Sequence, residues 1–346
     1  MFNFFKDDGH TAADYYVDLG TANTLIAARG KGVIVNEPTL IAFSEVSPGK
    51  RKVVAVGLDA REKVTRTPGN ITALRPLKDG VIADFDTTET MLRYFLSRPG
   101  MKSLFSKPRI VISLPYGVTE VEKRAAIDAG KSAGAKEVYL IDEPMAAAIG
   151  AGLPVKEAKG SMIIDIGGGT TEVAVIALAD IVYCQAVRVG GHKFDEAIID
   201  YLKRKKALII NEATAEQLKV QIGTACPKKD IKTMSVTGRD YNSSLMKTME
   251  ISSEDIGNAM DGCIREIVSA IHLALEQTPP ELVSDIIETG IVLIGGGALI
   301  RDIDIRIQNE VRLPVQIASE PLTTIALGGE KVLNDPELLN KIRLPV

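Results

Sequence analysis

An aspartate followed two positions later by glycine, and then by small or hydroxyl-bearing residues, occurs twice in this chain. The copies are Asp18-Leu19-Gly20-Thr21-Ala22-Asn23-Thr24 and Asp165-Ile166-Gly167-Gly168-Gly169-Thr170-Thr171, 147 positions apart. Glycines let backbone N–H groups approach an anion closely, while threonine and asparagine add side-chain donors without bulk. A polyphosphate needs many such donors. The aspartate ahead of each turn suits a hydrated divalent cation, because Mg²⁺ keeps most of its waters and accepts only one or two carboxylates. An ordinary Asp/Gly hairpin turn would explain either copy alone; recurrence at a matched offset favours a pair of phosphate clamps.

The elements that must position these residues read as mixed α/β layers. An apolar run precedes each aspartate, and alternating segments at 25–28 and 172–176 follow each turn, so each copy is a strand, a tight turn and a second strand. Residues 109–115 read as a buried strand ending in a Pro-Tyr-Gly turn. Thr119 and Glu122 form a capping box that opens a helix running to about residue 134. The segment 290–297 is again an apolar strand closed by three glycines. Ile256, Met260, Ile264, Ile267, Ile271 and Leu275 form a core stripe at helical spacing that stops at Thr278-Pro279-Pro280. A further helix is predicted to open at Thr214, with Gln217 completing a second capping box and Leu218 and Ile222 turned inward. Its Glu216 and Lys219 then share a face. Lys203-Arg204-Lys205-Lys206 reads as a solvated helix end. Gly150-Ala151-Gly152 and Gly328-Gly329 are the predicted hinges.

Length and composition narrow the class. At 346 residues the chain exceeds what one core serves, and two lobes are expected. With 45% hydrophobic and 25% charged residues and a net charge of −4 it has an ordinary globular balance and no nucleic-acid footprint. Cys184, Cys226 and Cys263 are scattered and odd in number, which argues against a disulfide frame or a zinc site and for a reducing, cytoplasmic setting. His10, His192 and His272 have no metal-ligand spacing. No apolar run approaches the roughly 18 residues of a membrane span. Phe2, Phe4 and Phe5, and the Leu104-Phe105 pair set between lysines, are instead suited to rest on an anionic bilayer surface. The stretch 125–132 lacks only the first glycine of a Walker A loop, but it falls inside the helix capped at Thr119 and is set aside. No G-x-G-x-x-G follows a strand, which removes a dinucleotide fold.

The stretches DLGTANT at 18–24, EPMAAAIG at 143–150, DIGGGTTE at 165–172 and GGGA at 295–298 together resemble the nucleotide-binding signatures of the actin, sugar-kinase and Hsp70 superfamily. Within it the chain is similar to the bacterial actins that set rod cell shape, from Asp14 to the C-terminus. The resemblance implies a duplicated ribonuclease H-like α/β fold with two lobes of two subdomains around an ATP cleft. The first lobe would be 1–149 with 331–346, carrying an insertion at 36–78. The second would be 150–330, with an insertion at 188–250. Gly20, Thr21, Ala22 and Asn23 would hold phosphates from one side, and Gly167, Gly168, Gly169 and Thr170 from the other. Gly295, Gly296, Gly297 and Ala298 would approach the nucleoside, and Glu216 and Lys219 the adenosine. Asp18 and Asp165 would hold Mg²⁺ through water. Glu143 and Thr170 would orient the attacking water in a slow ATPase coupled to polymerisation.

The resemblance further implies head-to-tail protofilaments, paired antiparallel, on the inner face of the cell membrane, with membrane proteins of the cell-wall elongation machinery as partners. Phe2, Phe4, Phe5, Leu104 and Phe105 would then be the membrane contacts. A sugar or acetate kinase would share both clamps but would transfer phosphate to an acceptor. An Hsp70-like chaperone would need a peptide-binding domain after the second lobe, and the expectation is against it.

Overall fold

All five residues of the strand Tyr15–Leu19 are buried, as are the last five of Arg109–Leu114, because the sheet they join is covered on both faces. Such a sheet selects unbroken apolar runs rather than alternation. On one face Tyr15, Val17 and Leu19 pack with Leu92 and Phe95 of the helix Phe85–Leu96 and with Ala126 and Ala129 of Glu120–Ser132. On the other, Tyr16 lies under Gly329 of the helix Thr324–Leu333. This computed structural model describes residues 14–47, 50–66, 71–78, 80–98, 101 and 107–345. The membrane candidates Phe2, Phe4, Phe5, Leu104 and Phe105, and also His10, lie outside the described residues.

The chain divides into two units, Met1–Ala146 with Ala326–Val346, and Ala147–Ile325. In the first, five strands lie in the order Glu137–Asp142, Arg109–Leu114, Tyr15–Leu19, Asn23–Ala28, Gly32–Pro38. The first three run parallel, and the last two form antiparallel hairpins. In the second, Val315–Ile317, Ile291–Ile294, Ser161–Ile166, Thr171–Ala177 and Asp180–Val187 repeat that order and those directions. Even the register repeats. Asp18 stands opposite Leu25 and Asp165 opposite Glu172, one pair before each turn. On the parallel side Asp18 pairs with Ser113 and Asp165 with Ile294.

Each unit also carries a small antiparallel sheet. In the first, Lys50–Val56, Ile41–Ser47 and Ile71–Leu74 pair in that order. In the second, Leu208–Ile209, Thr233–Asp240 and Met246–Ser252 do so.

The helix Glu120–Ser132 has the capping box read at Thr119 and Glu122, and it contains the Walker-like stretch as plain helix. The helix Ser253–Gln277 buries Ile256, Met260, Ile264, Ile267 and Ile271, with Leu275 partly buried beside them. The helix expected at Thr214 starts earlier. It spans Glu212–Ile222, and its cap is Asn211, whose side chain accepts the Thr214 N–H at 2.9 Å. Asparagine is the stronger capping residue, and the Thr214 hydroxyl itself donates to the same oxygen at 2.8 Å, so no box with Gln217 forms. Leu218 and Ile222 are buried as read. Gly328 and Gly329, read as a hinge, stand inside the helix Thr324–Leu333 rather than in a loop.

Candidate functional site

The first turn is held by its carbonyls. Thr39 donates its hydroxyl to the Gly20 carbonyl at 2.7 Å and its N–H to the Ala22 carbonyl at 3.0 Å. The Thr21 hydroxyl accepts the Gly80 N–H at 2.8 Å. None of these bonds spends an N–H of the turn itself, which is the economy an anion site requires. Asn23 begins the second strand, half-buried, and Asp18, one residue before the end of the first, is almost fully buried.

The second turn is held in the same way, by a helix. Gly167 donates its N–H to the Thr170 carbonyl at 2.9 Å, closing the turn. The carbonyls of Gly167 and Gly168 accept N–H groups of Gly191 and His192, each at 2.9 Å, from the first turn of the helix Gly191–Lys206. The Gly190 cap offers no side chain, so the orphan donors of this helix end are given to the turn. Gly190 must be glycine, since a Cβ there would sit 2.8 Å from the Gly167 carbonyl oxygen.

Asp165 has one carboxylate oxygen fully buried without a hydrogen-bond partner. Desolvation raises its pKa to about 7. The backbone of Gly295, at φ +79°, lies against that same oxygen, and an added methyl would overlap it. Gly297 closes on the Ile166 side chain likewise, and Ala298 is fully buried. An orphaned carboxylate oxygen beside a glycine turn held from outside through its carbonyls is chemistry that a divalent cation and phosphates would complete, so the donor set fits both.

Lys219 and Glu216 are on the helix Glu212–Ile222, Glu216 exposed and Lys219 half-buried. The Lys219 ammonium donates to the Gly191 carbonyl and to the Asp195 carboxylate, both at 2.9 Å. Asp195 is 3% exposed, and burial pushes its pKa up to about 6 despite the lysine. Lys219 therefore braces the helix end that in turn holds the glycine turn. Sequence reading assigned Asp195 no role; its only signal was an acid one helical turn after the Gly190-Gly191 pair.

In the first unit Glu143 opens the helix Glu143–Gly150, half-buried. It stands near Tyr16, whose phenol keeps its proton well beyond the ordinary range. Burial is the main cause, the charges of Asp18 and Glu143 add to it, and the nearby Ser113 hydroxyl opposes it slightly. Thus Asp18, Gly20, Thr21, Ala22, Asn23 and Glu143 share one unit. Asp165, Gly167 to Thr170, Glu216, Lys219 and Gly295 to Ala298 share the other. Among the described residues no cluster of three or more His, Cys, Asp or Glu could hold a metal by itself.

Comparison with known proteins agrees with this architecture. A family model described as MreB/Mbl protein matches residues 12–341. The cell shape-determining protein MreB of Escherichia coli strain K12 is 50% identical over 330 residues, 95% of each chain. The cell shape-determining protein Mbl of Bacillus subtilis strain 168 is 44% identical over 333 residues, 96% of this chain and 99% of the relative. The crystal structure of MreB5 of Spiroplasma citri bound to AMPPNP superposes with a TM-score of 0.90 at 36% identity, covering 96% of this chain and 99% of the other. The fold is the actin-like one that the motifs imply, and the chain belongs to the MreB/Mbl family.

Proposed function

We propose that this protein is a filament-forming, ATP-binding cytoskeletal protein of the actin type that determines rod cell shape. The observation that carries the reading is the matched pair of aspartate-and-turn hairpins, set at the same sheet position and register in both units. Support comes from relatives named as cell shape-determining proteins and from a similar chain that binds an ATP analogue. Gly20 to Asn23 and Gly167 to Thr170 hold the phosphates. Gly295 to Ala298 approach the nucleoside, with Glu216 beside the adenosine and Lys219 bracing the second turn. Asp18 and Asp165 hold a hydrated Mg²⁺, which would neutralise phosphate charge. The small sheets within 36–78 and 188–250 belong to insertion subdomains of the two lobes.

Phosphoryl transfer to water asks a protein mainly to position the nucleophile and to offset charge. Glu143, with Thr170, orients the water. A carboxylate is a weak base, so hydrolysis is slow and is governed by assembly into protofilaments on the inner face of the membrane, where proteins of the cell-wall elongation machinery are the partners. Light scattering tests the whole reading: ATP with Mg²⁺ raises it with no sugar or other acceptor present, and a signal that stays flat at every protein concentration refutes it. The Glu143→Ala variant should bind ATP and fail to release phosphate; turnover at the parental rate removes Glu143 from the mechanism.

A further inference from the structure

Tyr16 and Ser113 are both wholly inaccessible to solvent; their hydroxyls lie close to one another, and neither finds a further hydrogen-bond partner. Buried polar groups left unpaired are few in folded proteins, and two side by side call for an explanation. The sheet register accounts for their meeting. Tyr16 precedes Asp18 by two residues and so lies on the same face of its strand, and Asp18 pairs across to Ser113. Asp142, which ends the next strand, pairs with Leu114 and leads directly into Glu143. The phenol is also locked in place. Its ring lies against the backbone of Gly329, where an added methyl would overlap the ring carbons. Two hydroxyl donors are thus held rigidly behind the first turn, close to two carboxylates.

We propose that Tyr16 is a positioning residue for phosphate release: its O–H, with that of Ser113, donates toward the carboxylates of Glu143 and Asp18, directly or through one internal water. This rests on the role given to Glu143 above. A water-orienting glutamate must hold one direction, and donors on a clamped ring favour that direction. The ring, rather than the shorter serine, sets the direction because Gly329 leaves it no second position.

The Tyr16→Phe variant keeps the ring and deletes only the O–H. Single-turnover phosphate release should fall roughly tenfold, the worth of one hydrogen bond to a charged group. Affinity for a fluorescent ATP analogue should hold, since the phenol lies behind the first turn rather than in it. In the Glu143→Ala background the same change should do nothing further. Ser113→Ala should lower the same rate to a lesser degree. Release at the parental rate from Tyr16→Phe, with Glu143→Ala slow, overturns the role of Tyr16 and leaves that of Glu143 standing. Loss of nucleotide affinity in parallel with the rate makes Tyr16 architectural and overturns the proposal as well. A Glu143→Ala protein that turns over normally removes both.

Discussion

Asp195 and Lys219 form a buried ion pair whose balance is set by desolvation. The carboxyl's pKa lies at about 6, above its ordinary 3.8, because burial outweighs the lysine beside it. Between those two values the folded chain keeps a proton that the unfolded chain has lost, so stability declines as pH rises through that window and levels off above it. Asp195→Asn should flatten that part of a Tm-against-pH curve, and an unaltered slope would show that the group does not titrate there. The pair also has a mechanical role, since Lys219 reaches the Gly191 carbonyl and Gly191 reaches Gly167. Lys219 thus supports the helix end that holds the second turn.

At the scale of elements, the two clamps have different supports. Thr39, at the end of a neighbouring strand, ties down the first turn through Gly20 and Ala22. A helix N-terminus ties down the second, and its positive end also favours a nearby anion. Gly190 is the contact point, so Gly190→Ala should displace the turn and weaken ATP affinity roughly tenfold. Fluorescence titration with an ATP analogue measures this; parental affinity would mean that the turn tolerates the shift. The helix Ser253–Gln277 contributes nothing to the site directly. Its stripe supplies much of the core on which the second sheet rests.

For the whole molecule, duplication is the organising fact: two five-stranded sheets of one topology, each ending its central strand in an aspartate and a turn. In the function proposed above, each member of the pair supplies one set of donors to the nucleotide. Among the described residues no helix is long and apolar enough to cross a membrane. The membrane contacts proposed from the sequence are short apolar segments, which have the chemistry of surface anchors. Removing residues 1–8 while changing Leu104 and Phe105 to polar residues should release filaments from anionic liposomes. Undiminished co-sedimentation would place the anchor elsewhere.

What could be read from residues alone was local in kind. The two hairpins, the Thr119 capping box and the stripe from Ile256 to Leu275 each depend on neighbours within a turn or two, and periodicity or turn chemistry encodes such neighbours directly. The cap at Asn211 was missed because Thr214 and Gln217 spell a box equally well, and only the direction of the incoming chain chooses between them. The partner of Lys219 lies 24 residues away and that of the Gly167 turn lies across a whole strand pair. The meeting of Tyr16 with Ser113 depends on which residues the parallel strands place side by side. Register and packing select those contacts, and both are decided only when sheets and helices close on a common core.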